Sequence, residues 1–117
     1  MEKELVSYEM ALALKELGFN EPCYDNYNIY GKLWGLRLNK QVKIKGACLA
    51  PTFSQAFRFF REKYRLEGAI YRLNFKWASQ VFNIETSTYC FKHELFEKYE
   101  EAEINSLQKI IEIIKNK

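Results

Sequence analysis

Residues 51–85, PTFSQAFRFFREKYRLEGAIYRLNFKWASQVFNIE, change period part-way along, and that change decides the fold class. In the first half Thr52 and Gln55 form the T-x-x-Q pattern of a capping box, and Pro51 fixes the entry. Phe53, Ala56, Phe57, Phe60 and Tyr64 then recur on one helical face, with Ser54, Arg58, Arg61, Glu62 and Arg65 off it. A core helix is predicted there, its phenylalanines contributing roughly 1.5–3 kcal/mol each on burial. From Ala69 the period drops to two: Ala69, Tyr71, Leu73, Phe75 and Trp77 alternate with Ile70, Arg72, Asn74 and Lys76, and Phe82 and Ile84 continue the pattern. This predicts a hairpin turning within residues 76–79, with room for a further strand around 88–91.

Upstream, LVSYEMALALKELGF (residues 5–19) reads as one amphipathic helix. Ser7 is its N-cap, Val6 and Ala11 occupy the staple positions, and Gly18 supplies a left-handed stop with Phe19 folding back. Beyond Glu21-Pro22, residues 24–30 and 33–38 flank Gly31-Lys32 and predict a first hairpin. Residues 39–50 fit a basic loop or a short edge strand through Val42 and Ile44 equally well, since lysines also protect strand edges. Downstream, residues 97–115 predict a last helix with Ala102, Ser106, Ile110 and Ile113 or Ile114 inward. Its glutamates gather at the positive end of the macrodipole, with Lys109, Lys115 and Lys117 near the negative one. Hairpins interleaved with helices, in the order α-β-β-α-β-β-α, give an α+β fold with an antiparallel sheet; 117 residues suit one compact domain.

Three cysteines, Cys23, Cys48 and Cys90, are an odd and widely spaced set, so reduced and mostly buried thiols are expected, with Cys90 in the core. With His93 and Asp25 the sole residues of their kinds, neither a metal nor a cofactor is implied. No apolar run is long enough to span a bilayer and the N-terminus is acidic, so a soluble protein acting in the cytoplasm, away from membranes, is expected. The net charge of +3 is unevenly spread: residues 1–40 carry five Lys/Arg against six acids, 41–80 eight against two, and 81–117 five against seven. A basic central third is either a solvated face or a surface for an anionic partner.

The sequence holds no nucleophile elbow, P-loop, Rossmann glycine pattern or HExxH. Cys90 and His93 are three apart without a third orienting group, and the glutamates of residues 94–101 are accounted for by helix electrostatics, so no catalytic residue is assigned. What remains is stacking surface beside cations. Tyr30, Trp34, Arg37, Arg58, Arg61, Arg72 and Trp77 are the candidate ligand-binding residues, because bases and apolar groups stack on aromatic faces while Arg holds anions. The same aromatics also suit a half-buried sheet.

The segments LVSYEMALALKELGF, LAPTFSQAFRFFREKY and KYEEAEINSLQKIIEII, in this order, resemble a family of small uncharacterised proteins of Bacteroidetes phages and prophages. The match spans most of the chain, and its motifs are caps, stops and core faces. Lys98 departs from it where a small capping residue is usual, which implies a less sharply defined last helix. The resemblance implies a phage accessory protein acting inside the bacterial cell. Together these readings predict a non-enzymatic interaction protein, countering host defence by binding a host protein or by sequestering an anionic nucleotide signal, in a pocket expected at a homo-oligomeric interface. The alternatives are a nucleic-acid-binding module using residues 43–76 and a minor virion-associated protein.

Overall fold

The computed structural model describes residues 4–116 and, of Lys92 and His93, the backbone alone. The expected surface position of the His93 ring and the place of Lys117 therefore lie outside the described residues. The class is α+β, with three helices and antiparallel strands, as the change of period predicts. The chain divides into two compact units, Met1–Ala56 and Phe57–Lys117, parted inside the second helix. No described helix is long and apolar enough to cross a membrane.

In the first unit, α1 (Tyr8–Glu16) has the ends its sequence specifies. Ser7 is an extended N-cap whose Oγ accepts from Met10 N at 3.3 Å. Gly18, at φ 100°, takes the left-handed stop position; its N–H donates to Lys15 O at 3.2 Å and that of Phe19 to Leu14 O at 2.9 Å. Those two bonds satisfy carbonyls that a bare helix end would leave open. Val6, Ala11, Leu14 and Phe19 are buried beside them.

The first hairpin differs from expectation. β1 (Asn26–Tyr27) pairs antiparallel with β2 (Cys48–Leu49), and residues 33–38 join only through isolated bridges, Tyr27 to Leu33 and Cys23 to Leu38. The physical reason is competition: Asp25 Oδ1 and Asn28 Oδ1 accept from the N–H groups of Gly35, Tyr30 and Lys32, which a ladder would otherwise use. Of residues 39–50, the part through Val42 and Ile44 is loop, and the short strand of this segment forms further on, at Cys48–Leu49.

The second helix opens on the predicted capping box: Gln55 N donates to Thr52 Oγ1 at 3.1 Å and Thr52 N to Gln55 Oε1 at 3.0 Å. α2 (Phe53–Phe59) then widens into a π-helical turn (Phe60–Tyr64), closed by Arg65 in the left-handed region at φ 58°. Phe53, Ala56 and Phe60 are buried, but Phe57 and Tyr64 are half-buried and Phe59 is buried in their stead. Phe59 is three residues after Ala56 and so belongs to the α face itself, while Tyr64 lies inside the π turn, whose larger number of residues per turn carries it off a face drawn at 3.6.

The second unit is a meander, β3 (Leu66–Leu73), β4 (Lys76–Asn83) and β5 (Thr88–Phe96), in the order β3-β4-β5. The turn falls at Asn74-Phe75, closed by Leu73 opposite Lys76, and residues 76–79 lie inside β4. Both turn residues have positive φ, as a two-residue hairpin of the right twist requires. The further strand expected around 88–91 is present and longer. The register shifts where Val81 faces Phe91 and Phe82 faces Tyr89, which leaves Cys90 at a bulge. Cys90 is exposed there, not in the core as expected.

α3 (Tyr99–Lys115) packs on all three strands. Ala102, Ser106 and Ile110 are buried as predicted, but Leu107 and Ile111 complete the stripe, and Ile113 and Ile114 are only half-buried. Approach to the sheet is close. A Cβ on Gly68 would lie 2.5 Å from Phe57 Cε1 and 2.6 Å from Ser106 Oγ, so the position takes only glycine without rearrangement. Ser106 Oγ donates to Gln80 O at 3.1 Å and Ser79 Oγ to Asn105 Oδ1 at 2.6 Å, so the buried hydroxyls are paired. At the helix start the Lys98 side chain offers no acceptor; Glu101 alone completes half a capping box, taking Lys98 N at 3.1 Å.

Candidate functional site

The stretch between β1 and β2 is about twenty residues of irregular chain, a length that ordered domains reserve for functional loops. Its backbone is fixed from several directions. Tyr8, in the first turn of α1, donates its hydroxyl to Gly46 O at 2.6 Å, and its ring sits where a Cβ on Gly31 would come within 2.9 Å. Gly31, at φ 76°, is thus required by both conformation and space. Lys15, in the last turn of α1, donates Nζ to Ile44 O at 3.0 Å and Ala47 O at 2.7 Å. The Gln41 side chain bridges two backbone points, its Nε2 donating to Phe19 O at 3.0 Å and its Oε1 accepting from Leu49 N at 3.0 Å, while its own N–H donates to the Asn20 side-chain Oδ1 at 2.6 Å. Asp25 Oδ1 accepts from Asn26 N at 2.8 Å and Gly35 N at 2.6 Å. Asn28 Oδ1 accepts from Tyr30 N at 2.9 Å and Lys32 N at 3.1 Å.

Polar side chains therefore face inward and hold peptide groups, and the large apolar ones face out. Tyr24, Ile29, Tyr30, Trp34, Leu36 and Ile44 are all exposed, Tyr30 to 79%; they are half of the exposed large apolar residues among those described, on about a fifth of the chain. Scattered single exposures are ordinary in a folded protein; here they are concentrated in one segment. Lys32, Arg37, Lys40, Lys43 and Lys45 are exposed on the same stretch, and among the described residues none lies within ion-pair distance of a carboxylate. Arg37 lays its guanidinium 5.1 Å from the centre of the Tyr24 ring. Behind Trp34, whose N–H is held by Asn26 O at 3.0 Å, the Asn26 side chain is fully buried and neither of its amide atoms has a hydrogen-bond partner among the described residues.

Of the seven candidate residues, Tyr30, Trp34 and Arg37 belong to this loop in the first unit. Arg72 and Trp77 meet in the second, as cross-strand neighbours with the guanidinium 4.9 Å from the indole centre. Trp77 also takes Tyr99 edge-on at 5.0 Å, and Lys76 pairs with Glu97 at 3.2 Å, so this cluster fastens the hairpin to the start of α3. Burial, then Glu103 and Glu100, push the Tyr99 hydroxyl above its ordinary pKa. Arg58 and Arg61 are exposed on α2 and the π turn.

Sequence reasoning passed over Tyr24, Ile29 and Leu36, which it assigned to strands, Ile44, which it left between a loop and an edge strand, and the inward polar set that holds the loop. The usable signal was Asp25 and Asn28 upstream of Gly31 and Gly35, a pattern of side chains that cap backbone turns. Phe75, which the alternation places in a strand and which is outside the candidate set, is 91% exposed at the hairpin tip with φ 66°. The buried thiols are chemically quiet: burial, with Glu21 beside it, pushes Cys23 up to about 12, and burial, against a small opposing pull from Lys15, pushes Cys48 to about 11. No family model, no curated protein and no solved structure matches the chain.

Proposed function

We propose that the chain is a non-enzymatic interaction protein that holds a protein partner on the loop of residues 24–45. In the phage setting that the sequence resemblance implies, the partner is a host protein and its capture counters host defence. The observation that carries the reading is the division of labour in the loop. Its polar side chains are consumed in fixing the backbone while six large apolar side chains stand exposed, so the binding surface is ordered before the partner arrives and less entropy is lost on docking. Aromatic anchors set among cations are also the composition of protein interfaces.

The reading is tested by benzoylphenylalanine in place of Tyr30 in the full chain, expressed and irradiated in bacterial cells. A discrete protein adduct is expected, and Trp34→Ala in the same chain is expected to remove it while leaving the melting temperature unchanged. An adduct pattern indifferent to Trp34→Ala overturns the reading. A second reading, nucleic-acid binding, draws on Arg58, Arg61, Lys63 and Arg65, four exposed cations within eight residues. It predicts gel-shift binding that collapses with salt, each neutralised phosphate releasing counterions. Three of the six loop anchors, Ile29, Leu36 and Ile44, are aliphatic and offer a base no ring to stack on, which favours a protein.

A further inference from the structure

We infer that the segment held by the loop is acidic and amphipathic: a stretch of partner chain in which Asp or Glu alternates with large apolar side chains. The inference rests on the loop being a protein-docking surface and adds which chemistry it selects. Residues 24–46 carry five cations and a single acid, Asp25. Its Oδ1 accepts two backbone N–H groups, it pairs with none of the five cations among the described residues, and one carboxylate leaves the stretch with an excess of four positive charges. The five cations are exposed, and among the described residues no carboxylate of the chain pairs with them. Like charges held on a short, fixed stretch repel one another, and a neutral or basic partner would have to desolvate them without compensation. A partner bringing carboxylates removes both penalties and speeds encounter.

The apolar half of the partner follows from the order along the loop. Tyr30, Trp34 and Leu36 alternate at short intervals with Lys32 and Arg37, and Ile44 lies between Lys43 and Lys45. Anchors and charges thus come interleaved, not as one apolar centre with a charged margin, so the complementary chain is itself interleaved. A flat acidic surface without apolar groups would leave the aromatics in water, and an apolar peptide without acids would leave the cations unpaired.

The test is fluorescence anisotropy of labelled synthetic peptides against the full-length protein: one alternating Glu and Asp with Phe, Leu and Ile, one with every acid replaced by Gln, and a labelled oligo(dT) strand. The acidic peptide is expected to bind at least about tenfold more tightly than its Gln counterpart, and the advantage is expected to shrink as added salt shortens the screening length. Lys43→Glu with Lys45→Glu is expected to weaken the acidic peptide about tenfold while leaving the melting temperature and the Gln peptide unchanged. Equal binding of the two peptides, both lost in Trp34→Ala, overturns the acidic preference and leaves the docking loop standing. Tighter binding of oligo(dT) than of either peptide, or failure of both peptides to bind, overturns the inference and the protein-docking reading together. Self-association at the loop, seen as a concentration-dependent mass that Lys43→Glu abolishes, assigns the acidic segment to a second copy, whose exposed Tyr99 and Ile104 lie among Glu100 and Glu101, and supports the chemistry inferred.

Discussion

Phe75 stands at the tip of the β3–β4 turn with φ 66°, a conformation in which an L side chain crowds its own carbonyl, and at 91% exposure it recovers almost nothing by packing. Asn74 beside it, at φ 51°, tolerates the left-handed region far better than an aromatic does. Phe75→Gly is therefore expected to stabilise the fold by roughly 0.5–1 kcal/mol, the relief of backbone crowding partly offset by the greater freedom of glycine in the unfolded chain. Urea unfolding of the two proteins checks this, and a lower midpoint for the glycine variant would show that the ring packs usefully after all. Residues kept in strained backbone are more often there for contact with something else than for the fold. The glycines read differently one from another. Gly18 was legible as a helix stop from sequence, whereas Gly68 has ordinary backbone and is required only because Ser106 and Phe57 arrive beside it, a fact of packing that no local pattern announces.

The helices were legible because their ends are chemical statements. Ser7, Gly18, and the Thr52–Gln55 pair satisfy backbone groups that the helix itself cannot, and those bonds are local in sequence. α3 is bounded less firmly, and its charges show where it is sensitive. Glu103 has its carboxyl raised above the ordinary 4.5, first by burial and then by Glu100 one turn away. A raised carboxyl penalises the folded state only when ionised: below the ordinary value both states are protonated and nothing is lost, and the penalty grows as pH rises through the folded-state value. Glu103→Gln is accordingly expected to raise the melting temperature at neutral pH and leave it unchanged below about pH 4. Scanning calorimetry across that range gives the answer, and a shift independent of pH would assign the effect to packing instead. The first hairpin was misread at this same scale. Aromatic and aliphatic runs on either side of Gly31-Lys32 predicted a ladder, but the short polar side chains of Asp25 and Asn28 take N–H groups two to ten residues downstream, and this turn-capping chemistry outweighs strand propensity.

Across the whole molecule the three thiols sort by environment. Cys23 and Cys48 are buried and pushed up to about 12 and about 11, so they are neutral and shielded, whereas Cys90 is exposed at the β5 bulge. A thiol reagent such as Ellman's is expected to titrate one cysteine in the native protein and three after denaturation; Cys90→Ser is expected to abolish the native reaction. A second thiol reacting in the fold would show that the first unit, which holds Cys23 and Cys48, opens on the timescale of the assay. Fold class, helix ends, the alternation of the strands and the excess of aromatics beside cations were all determined by the sequence itself, because each depends on residues within a few positions of one another. Which aromatics face outward was decided only by the tertiary structure. Tyr27 and Tyr30 are three apart and alike in composition, yet Tyr27 is buried with its hydroxyl donating to Val6 O at 2.7 Å and Tyr30 is left in solvent. The difference is made by α1, where Tyr8 and Lys15 hold the far side of the loop, and contacts between residues so distant along the chain have no signature until the chain has folded.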